Sequence, residues 1–188
     1  MIDRNLKNPS FQTFFVSREQ SSCPLISEIV RIGRNLKERD LLKGTTGVIS
    51  LGFGKRLLLN GNRKELGNLE REDFLEVVDY DPVKKIVLAI GKTNPCIETS
   101  AHWLIHHARA DVNTIIQLNG NEIIERMTQE LPSTEKEFLP GSLDLTKEIL
   151  KTLRKGKSIV IKNTGLLFVG VNLKEVEDIV LRTLGKEP

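Results

Sequence analysis

The sequence predicts an α/β chain of the α+β type, a single domain whose central, mainly antiparallel β-sheet is flanked by helices. Short apolar runs of strand length are separated by tight Gly and Asn turns, as at 48–59 and 158–169. Other stretches repeat apolar residues at helical spacing, as at 24–41 and 172–184. Hairpin signals outnumber βαβ alternation, which argues against a doubly wound parallel sheet. At 188 residues the chain is long enough for one well-buried domain and short for two.

Taken in order, residues 1–22 form a poorly patterned lead-in with Phe11, Phe14 and Phe15 as anchors, and the domain proper spans 23–188. The stretch 24–41 reads as a helix, because Leu25, Ile29, Ile32 and Leu36 recur at helical spacing between Arg31, Arg34, Lys37 and Glu38. Pro24 suits its first turn. A turn at Gly44-Thr-Thr-Gly47 leads to strands at 48–51 and 56–59, a hairpin about Gly52 and Gly54. The turn Asn60-Gly-Asn62 follows, then a short helical turn at 69–74 and a strand at 75–78. Asp79-Tyr-Asp-Pro82 reads as a turn and 86–90 as a further strand.

The stretch 95–119 organises the chain, since it holds all three histidines and the only Trp. Pro95 ends what precedes it, because the residue before a proline avoids the helical region. Glu98 then falls in the first turn of a helix, where a negative charge suits the dipole. Glu98, His102 and His106 are spaced i, i+4, i+8 and share one helical face. Ala101, Leu104, Ile105 and Ala108 supply the apolar part. Trp103 points about 100° away from His102, so one of the two must pack inward or against a neighbour. Asp111 breaks the pattern, and Val112, Ile115 and Ile116 begin a strand that ends at Gln117 and Asn119.

Beyond it, 121–129 reads as a helix and 131–140 as a loop bounded by Pro132 and Pro140. A helix follows at 143–153 with Ser142 or Asp144 near its cap. Strands at 158–162 and 166–169 are joined by Asn163-Thr-Gly165. Asn172 opens the last helix, whose stripe is Leu173, Val176, Ile179, Val180 and Leu184, and Gly185 ends it as a C′ glycine.

Composition narrows the function. With 28 basic and 25 acidic residues the charges are mixed and nearly balanced, which argues against a dedicated nucleic-acid binder. The run 151–157 reads as solvated surface. Cys23 and Cys96 make neither a disulfide framework nor a metal knuckle, so a reduced, cytoplasmic setting is expected. No run approaches a membrane span, and Met1-Ile-Asp-Arg-Asn is no signal peptide.

Four places, in order along the chain, carry a family resemblance. Thr46-Gly-Val-Ile-Ser50 looks like a Ser/Thr-Gly-Asn-Ile-Ser motif, and Pro95-Cys-Ile-Glu98 with His102 looks like Pro-Ser-Ser-Glu with a downstream His. Asp111-Val-Asn-Thr-Ile-Ile-Gln-Leu-Asn119 looks like a strand ending in His-x-His. Val160-Ile-Lys-Asn-Thr-Gly165 with Val169-Gly170 looks like an Asn-His-Gly turn and its Val-Gly. From about residue 25 to 184 the chain resembles the class II aldolase/adducin family, and a class II aldolase-like fold is the expectation. The resemblance implies a cyclic homotetramer with each pocket at a subunit boundary. The helix bearing His102, Trp103, His106 and His107 is then the candidate pocket wall and part of that boundary.

The departures from the family pattern bear on chemistry. Family members bind a divalent, zinc-type metal with three histidines, and the metal polarises the substrate carbonyl and stabilises an enediolate. The matching positions here are Gln117, Asn119 and Thr164. Zinc prefers imidazole, thiolate and carboxylate. The phosphate cradle is altered too: its Asn is Val48, its hairpin Thr is Asn60, and its two serines are Cys96 and Ile97. Only Glu98 keeps its chemical residue, which the resemblance makes the acid/base. A base without an electrophile to acidify the substrate proton loses most of its use.

Each feature also has a structural reading. Glu98 can be a first-turn helix charge, and His102 a hydrogen-bonding structural residue. Gln117 and Asn119 can fill the old pocket by bonding to each other and to Thr164, since buried amides need partners. Cys96 near a helix N-terminus is a candidate for a lowered thiol pKa, or simply packs. Three functions follow. The first is a non-catalytic binding or assembly module with no cofactor. The second is an aldehyde-lyase or isomerase on a small carbonyl or sugar phosphate, using Glu98. The third is a metal enzyme with zinc relocated to Glu98, His102 and His106, as i, i+4 residues can share an ion. The small-molecule ligand is left open.

Overall fold

The computed structural model describes residues 11–43, 45–61, 64–154 and 156–185. Residues 1–10, Gly44, Asn62 and Lys155, which enter the expected lead-in, two turns and a basic run, lie outside the described residues. Eight strands are present: β1 (Gln12–Ser17), β2 (Thr46–Phe53), β3 (Arg56–Asn60), β4 (Phe74–Asp81), β5 (Ile86–Gly91), β6 (Thr114–Asn119), β7 (Ser158–Ile161) and β8 (Gly165–Gly170). Five helices accompany them: α1 (Ile26–Glu38), α2 (Thr99–Ala108), α3 (Asn121–Met127), α4 (Leu143–Leu153) and α5 (Leu173–Leu184). The strands form one sheet in the order β1-β5-β4-β3-β2-β6-β8-β7. Every pairing is antiparallel except β1 on β5. This is the mixed α/β, mainly antiparallel architecture that the hairpin signals predict.

Strand β1 lies in the stretch expected to be lead-in. Its side chains alternate between exposed and half-buried, so it lacks the buried apolar residues that mark a central strand. Phe14 and Val16 point to solvent, Phe11 is buried, and Phe15 packs against the core beneath Arg18. Two further details differ from expectation. Strand β4 runs on through Asp81, past an irregularity between Val77 and Asp79, so the turn falls at 82–85 with Lys85 at φ 54°. Gly185 ends α5 at φ −82°, not in the left-handed conformation of a C′ glycine.

Alternation along β2, β6 and β8 sends side chains to two sheet faces. One face carries α1, α3 and α5 over Ile49, Leu51, Ile116, Leu118, Leu166 and Phe168. The opposite face is covered by α2 and α4, and its apolar residues fall into two clusters. Val48, Leu57, Leu59, Leu75, Val77 and Trp103 belong to one. Ile105, Ile115, Ile149, Leu153, Leu167 and Val169 belong to the other. A row of polar side chains from α2, β2 and β6 lies on this face, and it is the candidate site.

The two outer edges of the sheet differ. At β7, the loop before α4 adds a short parallel bridge: Val160 N–H donates to the Pro132 carbonyl at 2.8 Å, and Thr134 N–H donates to the Val160 carbonyl at 3.0 Å. Beyond it, the same loop reaches Ser142, whose side chain accepts from Leu145 N–H and caps α4 as expected.

Candidate functional site

Register on the sheet fixes the floor. In the β2–β6 ladder Ser50 faces Ile115, Val48 faces Gln117 and Thr46 faces Asn119. Residues directly opposite in an antiparallel pair share a sheet face, and so do residues two apart on one strand. Ser50, Val48, Gln117 and Asn119 therefore point together toward α2, whose Glu98, His102 and His106 descend from above.

These residues join in one continuous line. Asn119 Nδ2 donates to Glu98 Oε1 at 3.1 Å, and Gln117 Nε2 donates to Asn119 Oδ1 at 2.8 Å. Gln117 Oε1 lies 3.2 Å from His102 Nε2. The other nitrogen of that ring, Nδ1, lies 2.8 Å from Ser50 Oγ, which is 3.0 Å from His106 Nε2. Ser50 and His102 are 0 % exposed, Gln117 3 % and Glu98 4 %. A buried polar row of this kind is stable only when its members satisfy one another.

Glu98 occupies the N-cap position of α2, not its first turn, and its side chain caps no backbone N–H of the helix. The carboxylate turns instead toward β6 and the Asn119 amide. Burial holds His102 neutral, with its pKa lowered to about 4. Burial, then the neighbouring His102 and His107, lower His106 to about 3. Cys96 is the reverse of the activated thiol considered from sequence. Burial and then the charge of Glu98 push its thiol far up, and its Sγ packs 3.6 Å from Thr99 Oγ1.

The remaining sequence-predicted positions divide. Asn60 is fully buried, and its side chain is consumed by the β2 backbone: Ile49 N–H donates to Oδ1 at 2.7 Å, and Nδ2 donates to the Gly47 carbonyl at 3.0 Å. It braces the sheet and does not face a pocket. Val48 is buried in the apolar cluster that includes Cys96 and Trp103. Ile97 is 4 % exposed and lies under Gly141, a residue at φ 74° whose carbonyl accepts from Ser100 Oγ at 3.1 Å. The loop before α4 thus sits against the turn that would carry the family's phosphate serines. Thr164 lies beside Gly165, the partner of Asn119 across β6–β8. Among the described residues its hydroxyl bonds to neither amide, and its carbonyl accepts from Gly120 N–H at 3.3 Å. The expected three-way contact is therefore a two-way contact. Trp103 packs inward, 6 % exposed, with His107 stacked on it at 4.3 Å.

Residues Glu98, His102 and His106 share a face but do not converge. Gln117 and Asn119 separate the carboxylate from His102, and Ser50 separates the two rings. Among the described residues, no group of three His, Cys, Asp or Glu side chains could hold a metal ion. The family metal position fares no better. The Gln117 oxygen faces the His102 ring and the Asn119 oxygen accepts an amide N–H. The third position offers only a neutral hydroxyl. This donor set does not fit a zinc ion.

Ser50 is the site residue that motif reading passed over. It was visible as the residue two beyond Val48 on the same strand face.

Residues 27–119 match the family model for the Class II Aldolase and Adducin N-terminal domain. That span runs from α1 to the end of β6 and contains Ser50, Glu98, His102, Gln117 and Asn119. That span is a class II aldolase family domain. An L-fuculose phosphate aldolase of Methanocaldococcus jannaschii is 28 % identical over 162 residues, which covers 78 % of this chain and 84 % of the relative. One from Methanococcus maripaludis is 22 % identical over 165 residues, covering 80 % of this chain and 87 % of the relative. A solved L-fuculose 1-phosphate aldolase superposes with a TM-score of 0.70 at 20 % identity, covering 86 % of this chain and 82 % of that one. The class II aldolase fold is therefore shared across nearly the whole chain.

Proposed function

We propose that this class II aldolase domain works without a divalent metal and without sugar-phosphate aldolase activity, as a binding or assembly module. One observation carries the reading: the Gln117, Asn119 and Glu98 side chains bond in series across the family's metal position. Retro-aldol cleavage needs an electrophile for the enediolate, and a metal supplies several kcal/mol of that stabilisation. The cradle is altered as well, with Val48 and Ile97 apolar and Asn60 turned into the sheet. The module assembles as a closed cyclic homotetramer, an arrangement that outlasts loss of catalysis when the interface has its own role. A reduced, cytoplasmic setting belongs to this reading, since Cys23 and Cys96 are both free and buried. Nucleic acid and membrane are not partners in it. Among the described residues, no helix is long and apolar enough to cross a membrane.

A second reading, an aldehyde-lyase or isomerase on a small carbonyl or sugar phosphate with Glu98 as acid/base, is favoured by the retained carboxylate. The names of the two archaeal relatives point the same way. Elemental analysis of the purified protein, with assays of fuculose and rhamnulose phosphate cleavage, separates the two. The expected result is no stoichiometric zinc and no cleavage. Turnover that disappears in Glu98→Gln would establish the second reading.

A further inference from the structure

Hydrogen bonding along the buried row runs in one direction, and this follows from proton counting. A carboxylate oxygen accepts, so Asn119 must present its amide nitrogen to Glu98, as it does at 3.1 Å. Its oxygen then faces Gln117, which must present Nε2, as it does at 2.8 Å. Gln117 is left with its oxygen toward His102, so the ring nitrogen 3.2 Å away has to carry the proton. A neutral imidazole has one N–H. His102 Nδ1 is therefore an acceptor, and Ser50 Oγ, 2.8 Å away, must give it the hydroxyl proton. The Ser50 oxygen is then open to His106 Nε2–H at 3.0 Å. Each group passes one donor onward from His106 to Glu98. Burial keeps both rings neutral and so excludes a second N–H on either.

The opposite direction has one point in its favour. The Val112 backbone carbonyl is a hydrogen-bond acceptor for the His106 ring, which calls for a proton on the ring nitrogen that faces it. That arrangement would make Ser50 donate to His106, turn both amides over and aim the Asn119 oxygen at the Glu98 carboxylate. Two acceptors would then meet unless Glu98 bound a proton.

We propose that Ser50 is a positioning residue. Held between the two rings, it gives His102 Nδ1 the donor that the Nε2–H tautomer needs, and so supports from behind the amide orientation that Glu98 sets from in front. The inference rests on the metal-free reading of the site. It adds why that site stays closed: the amides are locked from behind, by a serine and two histidines, with their oxygens turned to N–H donors.

The chain provides its own internal standard. His107 Nδ1 lies 2.8 Å from the Trp103 carbonyl, an acceptor only, so His107 is the Nδ1–H tautomer. Three histidines in all make the spectrum simple. Long-range proton–nitrogen correlation on histidine-labelled protein near pH 7, without added metal, should show Nε2–H at His102 and His106 and Nδ1–H at His107. In Ser50→Ala, the His102 Nδ1 resonance should move downfield as it loses its hydroxyl donor, while His107 is unchanged. Ser50→Thr, which keeps the hydroxyl, should restore the wild-type Nδ1 position. Nδ1–H at His102 in the wild type would overturn the proposal, and so would a folded Ser50→Ala in which His102 is unaltered. If Ser50→Ala does not fold, the wild-type tautomers still decide the direction. Zinc added to uniformly nitrogen-labelled protein tests the underlying reading separately. Stoichiometric shifts of the Gln117 and Asn119 side-chain amides, starting from Nε2–H rings, would end the metal-free reading while leaving the direction intact.

Discussion

At the scale of single residues, burial controls both the protonation of the site and its dependence on pH. His102 and His106 are neutral in the fold, with values lowered to about 4 and about 3. The ordinary histidine value is about 6.5. The stability these rings contribute is fully present above the ordinary value and is lost as pH falls from there toward the folded values. Each ring should cost about 2 kcal/mol by pH 5. That window lies above the titration of Glu175 and Glu177, whose carboxylates are lowered by partners. Urea unfolding at pH 7, 6 and 5 should show the midpoint falling steadily, and a flat midpoint would contradict neutral buried rings. Asn60 gives a second expectation at this scale. Asn60→Ala removes two bonds to the β2 backbone and leaves Ile49 N–H and the Gly47 carbonyl buried without them. The cost should be about 2–4 kcal/mol, read from the same denaturation curves, with Val48→Ala as a comparison that breaks no hydrogen bond.

At the scale of elements, the sequence was most legible where one period dominates. The apolar stripes of α1, α4 and α5 and the hairpins β2–β3 and β7–β8 follow directly from spacing and turn residues. The row Glu98, His102, His106 was legible as a helical face, because i, i+4 spacing leaves little choice. What that face bonds to was not legible, since it depends on the register between β2 and β6, and Ser50 enters only through that register. Asn60 read as a pocket residue because motif position says nothing about which way a side chain turns at a strand end. The position that most directly tests the register is the amide pair. Gln117→His with Asn119→His and Thr164→His should bind zinc, measured by metal titration, because Gln117 and Asn119 share a face of β6 and Thr164 lies in the β7–β8 turn beside Gly165, the partner of Asn119. No recovery of aldolase activity is expected, since Val48 and Ile97 remain. The loop before α4 makes its own test. Gly141 has φ 74°, and an added Cβ would meet the Ile97 carbonyl at 2.8 Å. Gly141→Ala should cost about 1–3 kcal/mol and raise amide exchange at Ser100 and Ile97.

At the scale of the whole molecule, the proposed homotetramer is tested by light scattering, where a strictly monomeric protein at high micromolar concentration would remove it. Trp103 is buried within its own chain, so Trp103→Ala should act first on the fold, with a loss of about 3–5 kcal/mol. A change of assembly without a loss of stability would place the indole at a subunit boundary instead. The two ends of the sheet have a different kind of consequence, one of timing. Strand β1 is made first of the eight, yet among the described residues its one neighbour in the sheet is β5, and Gln12 aligns with Ile86. A ribosome must add more than seventy further residues before that neighbour exists, and β5 itself is held by β4 through an antiparallel hairpin that can close as soon as it emerges. Closing so long a loop is among the slower events of folding. The N-terminal strand, with Phe14 and Val16 bare, should therefore be the last to join the sheet and the first to leave it. Amide exchange on the native protein should find its protected N–H groups opening before those of β2 and β6.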